Sequence, residues 1–123
     1  MGRRVVITGL GVCAPNGVGL TDFTQSLRDG KSGIRHQPIL EKLGFGCQIA
    51  GEPLVKDNLI DNYFTPLERR GLNATGIVYG VIAGVDAWKD AGLEKNTSNE
   101  PSWDRGILFG TGILGVDKFR EAI

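Results

Sequence analysis

The chain has 123 residues, with 14 lysines and arginines against 14 aspartates and glutamates, so its formal charge is zero; 41% of its residues are hydrophobic. That balance excludes wholesale disorder and leaves no basic excess for a dedicated nucleic-acid binder. No apolar run approaches the ~20 residues of a membrane span. Met1-Gly2-Arg3-Arg4 leads into only a short apolar run, so no signal peptide is read and a cytoplasmic protein is expected. Cys13 and Cys47 are too few for a disulfide scaffold and form no C-x-x-C, so both are expected to be free thiols. Glycine is the outlier: 19 residues, about twice the usual share. The glycines sit singly at the ends of apolar segments, the pattern of an α/β protein with many short turns.

Arg4-Val5-Val6-Ile7-Thr8 is a β-branched run that reads as a strand buried on both faces. Residues 9–17 read as a loop, with Pro15-Asn16-Gly17 as its turn. Thr21 to Asp29 reads as a helix with Phe23 and Leu27 on one face and Gly30 at its C-terminal cap. Residues 34–64 show no clear period beyond a short strand within 45–51. Thr65-Pro66-Leu67-Glu68 is a strong helix start: a capping residue, proline at the first helical position and a glutamate to close the capping box.

The glycines near residues 71–76 predict a break and a fresh start near Asn73. From Ile77, the residues Val78, Val81, Ile82 and Val85 recur at helical spacing as far as Ala91-Gly92. Gly76, Gly80 and Gly84 lie four apart. Asp86, Lys89 and Asp90 in the same helix favour a soluble helix closely approached by another element over a membrane dimer face. Arg105 to Gly110 reads as a second buried strand, and Thr111 to Gly115 as a glycine-rich turn. A helix starting near residue 115 then places Val116, Phe119 and Ile123 on one face. It reaches Ile123 with no cap, so residues 1–123 are expected to be the N-terminal piece of a larger α/β protein.

Gly9-Leu10-Gly11-Val12-Cys13-Ala14 matches the dinucleotide-binding pattern as text. The mechanism needs the glycines to open a helix whose N-terminus holds the pyrophosphate, and Pro15-Asn16-Gly17 interrupts at once. A nucleotide-binding α/β domain is therefore the rival from another class, and a helix beginning at Gly11 is its signature. Cys13 lacks a nearby base and reads as an inert thiol, and His36 reads as a solvated loop residue. No nucleophile with a base and no metal-ligand set is legible.

Several segments, in order, carry a resemblance. Arg4-Val5-Val6-Ile7-Thr8-Gly9-Leu10-Gly11-Val12 with Ala14-Pro15-Asn16-Gly17 resembles the start of the β-ketoacyl-[acyl-carrier-protein] synthases. Gly30-Lys31-Ser32-Gly33-Ile34 and Ala50-Gly51 are similar to the turn and strand that follow in that family. Tyr79-Gly80, Ala83-Gly84-Val85, Ala87 and Asp90-Ala91-Gly92-Leu93 resemble its long buried helix, and Gly110-Thr111-Gly112-Ile113 with Gly115 its glycine turn. The likeness is to the elongating synthases of bacterial type II fatty-acid and polyketide systems.

The resemblance implies an α/β chain of thiolase-like fold, here only the N-terminal part of its first half, in a protein that is a homodimer when full length. It implies a decarboxylating Claisen condensation between an acyl thioester and malonyl-carrier protein, with acyl carrier protein as partner. No cofactor, metal, nucleic acid or membrane is implied. The catalytic cysteine and two histidines of the family are expected after residue 123, so no catalytic residue is assigned in this chain.

Ile113 occupies the family's position at the far end of the acyl pocket; a plain core isoleucine is the competing reading. Leu114 departs from the glycine often found beside it. Arg69 and Arg70 fall near a basic pair that grips the acidic carrier; a solvated helix face is the alternative. Within the fold, the runner-up is a non-catalytic partner subunit that sets chain length.

Overall fold

The computed structural model describes residues 2–98, 100–112 and 115–122, the last three of these by backbone alone. Its elements in chain order are β1 (Cys13–Ala14), β2 (Gly17–Val18), α1 (Leu20–Arg28), β3 (Ile34–His36), α2 (Pro38–Lys42), β4 (Ile49–Gly51), α3 (Asp57–Ile60), α4 (Pro66–Gly71), α5 (Thr75–Asp90) and α6 (Val116–Ala122).

The helices fall where local chemistry puts them. At α4, the Thr65 hydroxyl accepts from the Glu68 amide, while the Glu68 carboxylate accepts from the Thr65 amide at 2.8 Å. Both halves of the capping box are thus present, with Pro66 in the first turn. Helix α1 runs to Arg28, and Gly30, at φ 64°, turns the chain away. Helix α5 spans 16 residues and ends before Gly92, at φ 68°.

The strands depart from the sequence reading. Two small antiparallel sheets are present among the described residues: β1 with β2 (Cys13↔Val18, Ala14↔Gly17) and β3 with β4 (Ile34↔Gly51, Arg35↔Ala50, His36↔Ile49). The segment read as a loop over 9–17 therefore contains a hairpin reversing at Pro15-Asn16, two residues suited to a tight turn. His36 lies on a strand rather than in a loop. Residues 34–64, in which the sequence shows only a short strand within 45–51, hold β3, α2, β4 and α3, with β4 inside that range.

Neither Arg4–Thr8 nor Arg105–Gly110, both read as buried strands, joins a sheet among the described residues. Val5 is 93% exposed and Leu108 101%. A strand buried on both faces needs neighbours to bond its backbone and layers to cover its side chains. The described residues supply neither for these two segments.

The core is correspondingly small. Phe64, Val78 and the fully buried Ile82 form its centre, with Cys13, Val18, Ile60 and Tyr63 packed around them. The chain exposes 10096 Å². A compact monomer of its 13.2 kDa mass exposes about 6,400 Å².

Candidate functional site

Three places bear on function: the first glycine segment against α5, the arginine pair on α4, and the approach to α6.

Gly9 and Gly11 lie against the backbone of α5. A Cβ on Gly9 would stand 2.5 Å from the Ala91 nitrogen and against the Ala87 carbonyl oxygen; one on Gly11 would stand 2.5 Å from the Ala87 nitrogen and against the Ala83 carbonyl oxygen. Between them, the Leu10 amide donates to Asp90 Oδ2 at 2.9 Å. No helix opens at Gly11; the hairpin intervenes and α1 starts at Leu20. The Gly9-Leu10-Gly11 pattern is thus used for close packing of backbone on helix. The nucleotide-binding reading loses the helix N-terminus it requires.

Cys13 lies on β1 beside the core, half-buried, and its thiol is pushed up to about 11 by burial and by the Asp86 carboxylate. Asp86 also accepts from the Tyr63 hydroxyl at 2.9 Å; burial and then that carboxylate raise Tyr63 to about 12. His36 pairs instead with Glu41, 3.3 Å away. No hydrogen bond joins a cysteine to the histidine among the described residues, and no group of three His, Cys, Asp or Glu side chains there is placed to hold a metal.

A thiol at about 11 rather than the ordinary 9.0 carries about a hundredfold less thiolate near pH 8, and the thiolate is the reactive form. Iodoacetamide at that pH is expected to label exposed Cys47 while leaving Cys13 unmodified, as read by peptide mass. Equal labelling of the two would show that the Cys13 thiol is not shielded by the core.

The arginine pair separates. The Arg69 guanidinium bridges to Asp61 Oδ1 at 2.6 Å and Asp57 Oδ1 at 2.7 Å, fastening α4 to the α3 turn. Those two carboxylates, Asp57 first, raise the Arg69 pKa. Arg70 is exposed and forms no ion pair among the described residues. The two side chains are adjacent in sequence yet do different work, a distinction that needed the position of α3. Ile113 and Leu114 lie outside the described residues.

An open apolar trough of about 540 Å³ lies between α5 and the 106–109 segment, lined by Ile77, Val81, Val85, Trp88, Ile107 and Phe109 among others. A second hollow, of about 640 Å³, is lined by residues that include Lys31, Arg35 and Lys56. Its Arg35 is already engaged by the Pro15 and Glu52 carbonyl oxygens.

These features define an α/β segment whose glycines seat a chain against a long helix and which holds no cysteine–histidine pair among its described residues. The chain matches the family described as "Beta-ketoacyl synthase, N-terminal domain" over residues 2–121, and it belongs to that family. It is 37% identical over 119 residues to the 3-oxoacyl-[acyl-carrier-protein] synthase 2 of Coxiella burnetii, covering 93% of this chain and 26% of that protein. It is 35% identical over 115 residues to the protein of the same name from Vibrio harveyi, covering 94% and 26%. A Streptomyces halstedii protein with the provisional name polyketide beta-ketoacyl synthase 1 is 31% identical over 124 residues, covering 98% and 28%. The chain thus spans about a quarter of the length of the curated relatives it matches.

Proposed function

We propose that residues 1–123 serve as the N-terminal part of the first half of a thiolase-like condensing enzyme, a 3-oxoacyl-[acyl-carrier-protein] synthase of fatty-acid or polyketide biosynthesis. The observation that carries this reading is the family match over residues 2–121, with relatives named for that activity. The enzyme works in the cytoplasm as a homodimer and uses no cofactor.

In the reaction, a cysteine thiolate beyond residue 123 attacks the acyl thioester on the carrier. A new C–S bond forms and the carrier thiol leaves with a proton. A nucleophile of this kind divides one hard step into two easier ones. Malonyl-carrier protein then loses carbon dioxide. The resulting enolate carbon attacks the enzyme-bound thioester carbonyl, and the cysteine departs as thiolate. Two histidines, also beyond residue 123, stabilise the negative charge that develops on oxygen.

Within this chain, α4 meets the acidic carrier protein. Arg70 presents the free positive charge at that rim, and Arg69, committed to Asp57 and Asp61, holds the helix in place. Ile113 closes the far end of the acyl pocket, where a bulkier side chain shortens the chain accepted.

The test is carrier-dependent condensation by the full-length protein, with a small pantetheine thioester as comparison. A charge on a docking rim acts on association more than on chemistry. Arg70→Glu is expected to lower kcat/KM for the carrier-borne substrate by about tenfold and to spare the small thioester. Arg69→Glu should instead lower the melting temperature. Equal losses on both substrates for Arg70→Glu would remove the carrier surface from α4. Absence of any condensation by the wild-type full-length protein would favour the non-catalytic chain-length partner.

A further inference from the structure

The hollow of about 640 Å³ is walled by the β1–β2 hairpin, α1, Lys31, Arg35 and the 54–59 segment. In its wall stands Ser26, the one polar side chain that is buried among the described residues, at 9% exposed. Helix α1 turns this serine inward while its apolar neighbour Leu27 stays 59% exposed. No hydrogen bond engages the Ser26 hydroxyl among the described residues. No side-chain polar atom sealed from solvent lacks a partner there either, so the hydroxyl opens on the hollow it lines. A polar group in such a place is normally met by a bound molecule or ordered water.

The charges around it are unbalanced. Arg35 is half-buried, and its Nη1 donates to the Pro15 carbonyl oxygen at 3.2 Å while its Nη2 donates to that of Glu52. Both acceptors are neutral. They occupy two of the five N–H groups of the guanidinium and leave its charge without a carboxylate among the described residues. Lys56 likewise forms no ion pair there, whereas Lys31 is held by Asp29 at 3.0 Å. Within the lining, cations outnumber carboxylates three to one, Asp22 being the single acid. A partly buried charge is stabilised by a counter-ion, and the hollow has the volume of an ordinary ligand cleft. Its donors come from separate segments and so converge from different directions. A phosphate group presents oxygens in several directions, whereas a carboxylate presents two in one plane, and arginine and lysine are its usual partners.

We propose that this hollow binds a phosphate group, with Arg35 and Lys56 supplying the charge and the Ser26 hydroxyl donating to one of its oxygens. Inorganic phosphate and a small phosphate monoester share that group. Leu54 and Leu59 in the same lining give the organic part of an ester an apolar wall.

The experiment is calorimetric titration of the full-length protein, at fixed ionic strength, with inorganic phosphate, with glycerol 3-phosphate and with acetate as the control anion. Saturable binding of phosphate is expected, and none of acetate. Lys56→Ala is expected to weaken phosphate binding about tenfold, the scale of one charge-assisted hydrogen bond. Ser26→Ala should weaken it by a similar factor without lowering the melting temperature, because the hydroxyl it removes holds no other group. Arg35 also fastens the hairpin, so these two variants carry the test. Glycerol 3-phosphate binding tenfold tighter than phosphate would assign the site to a phosphorylated metabolite, and equal affinities would assign it to the inorganic anion; either outcome supports the site. Acetate binding as tightly as phosphate, no saturable binding of either phosphate compound, or affinities unchanged in both variants would overturn the proposal.

Discussion

Gly11→Ala is expected to destabilise the full-length protein by more than about 3 kcal/mol, the upper range for overpacking a close contact. The added methyl would stand 2.5 Å from the Ala87 nitrogen and closer still to the Ala83 carbonyl oxygen. Both are backbone atoms inside α5, so no side-chain rotation relieves the clash; the 9–11 segment must lift off the helix. Lifting it also breaks the hydrogen bond from the Leu10 amide to Asp90. Gly46→Ala is the control, since nothing lies within 4 Å of its added carbon. It should fall within about 1 kcal/mol of wild type, on the stabilising side if the backbone accepts it. Denaturant midpoints of the three proteins decide the matter. If the glycines serve a phosphate instead, Gly11→Ala will leave stability near that of the control and abolish saturable NAD binding. The packing geometry predicts the reverse: a large loss of stability, in a protein that shows no NAD binding to begin with.

The 123-residue chain by itself is expected to condense nothing above the no-protein blank and to behave as an incompletely packed protein. It exposes over half as much area again as a compact monomer of its mass. Much of that excess is apolar: Val5, Val6 and Ile7 in one segment, Ile107, Leu108 and Phe109 in another. Segments of this kind offer both apolar surface and unpaired backbone groups, which favour association. Anilinonaphthalene sulfonate fluorescence should rise on addition of the chain. Size-exclusion profiles should broaden with concentration, and thermal unfolding should lack a sharp transition. A monodisperse, dye-silent, cooperatively unfolding monomer would contradict this and favour a standalone module. Condensation that survived Cys13→Ala and Cys47→Ala would remove the basis for placing the nucleophile beyond residue 123.

Legibility in the sequence followed the range of the interactions. The start of α4 was readable because Thr65, Pro66 and Glu68 act on one another within four residues. The break before α5 and its end at Gly92 were readable for the same reason: glycine alters backbone preference where it stands. Cys13 as an inert thiol also followed from the lack of a neighbouring base, and its burial agrees. The β3–β4 pairing was not legible. Its strands are three residues long, with Ile34 and Ile49 at exposed positions and Arg35 at a less exposed one, so no apolar alternation marks it, and it is held in part by Arg35 reaching the Pro15 and Glu52 carbonyl oxygens.

The sequence by itself determined α1, α4, α5 and the start of α6, the turns after α1 and α5 and, through several motifs in order, the family to which the chain belongs; α2 and α3 carried no legible period. Each of these depends on residues close together in the chain or on a pattern kept along it. Only the tertiary structure decided what the glycines and charges are for. Gly9 and Gly11 have the spacing of a phosphate loop, but their partners are Ala83, Ala87 and Ala91, more than seventy residues away. Arg69 and Arg70 read alike until Asp57 and Asp61 come within reach of one and not the other. Asp117 lies in the first turn of α6, yet its oxygen accepts from Thr75 at the start of α5. A residue's type sets which contacts it can make; which of them it does make depends on the atoms that folding brings beside it.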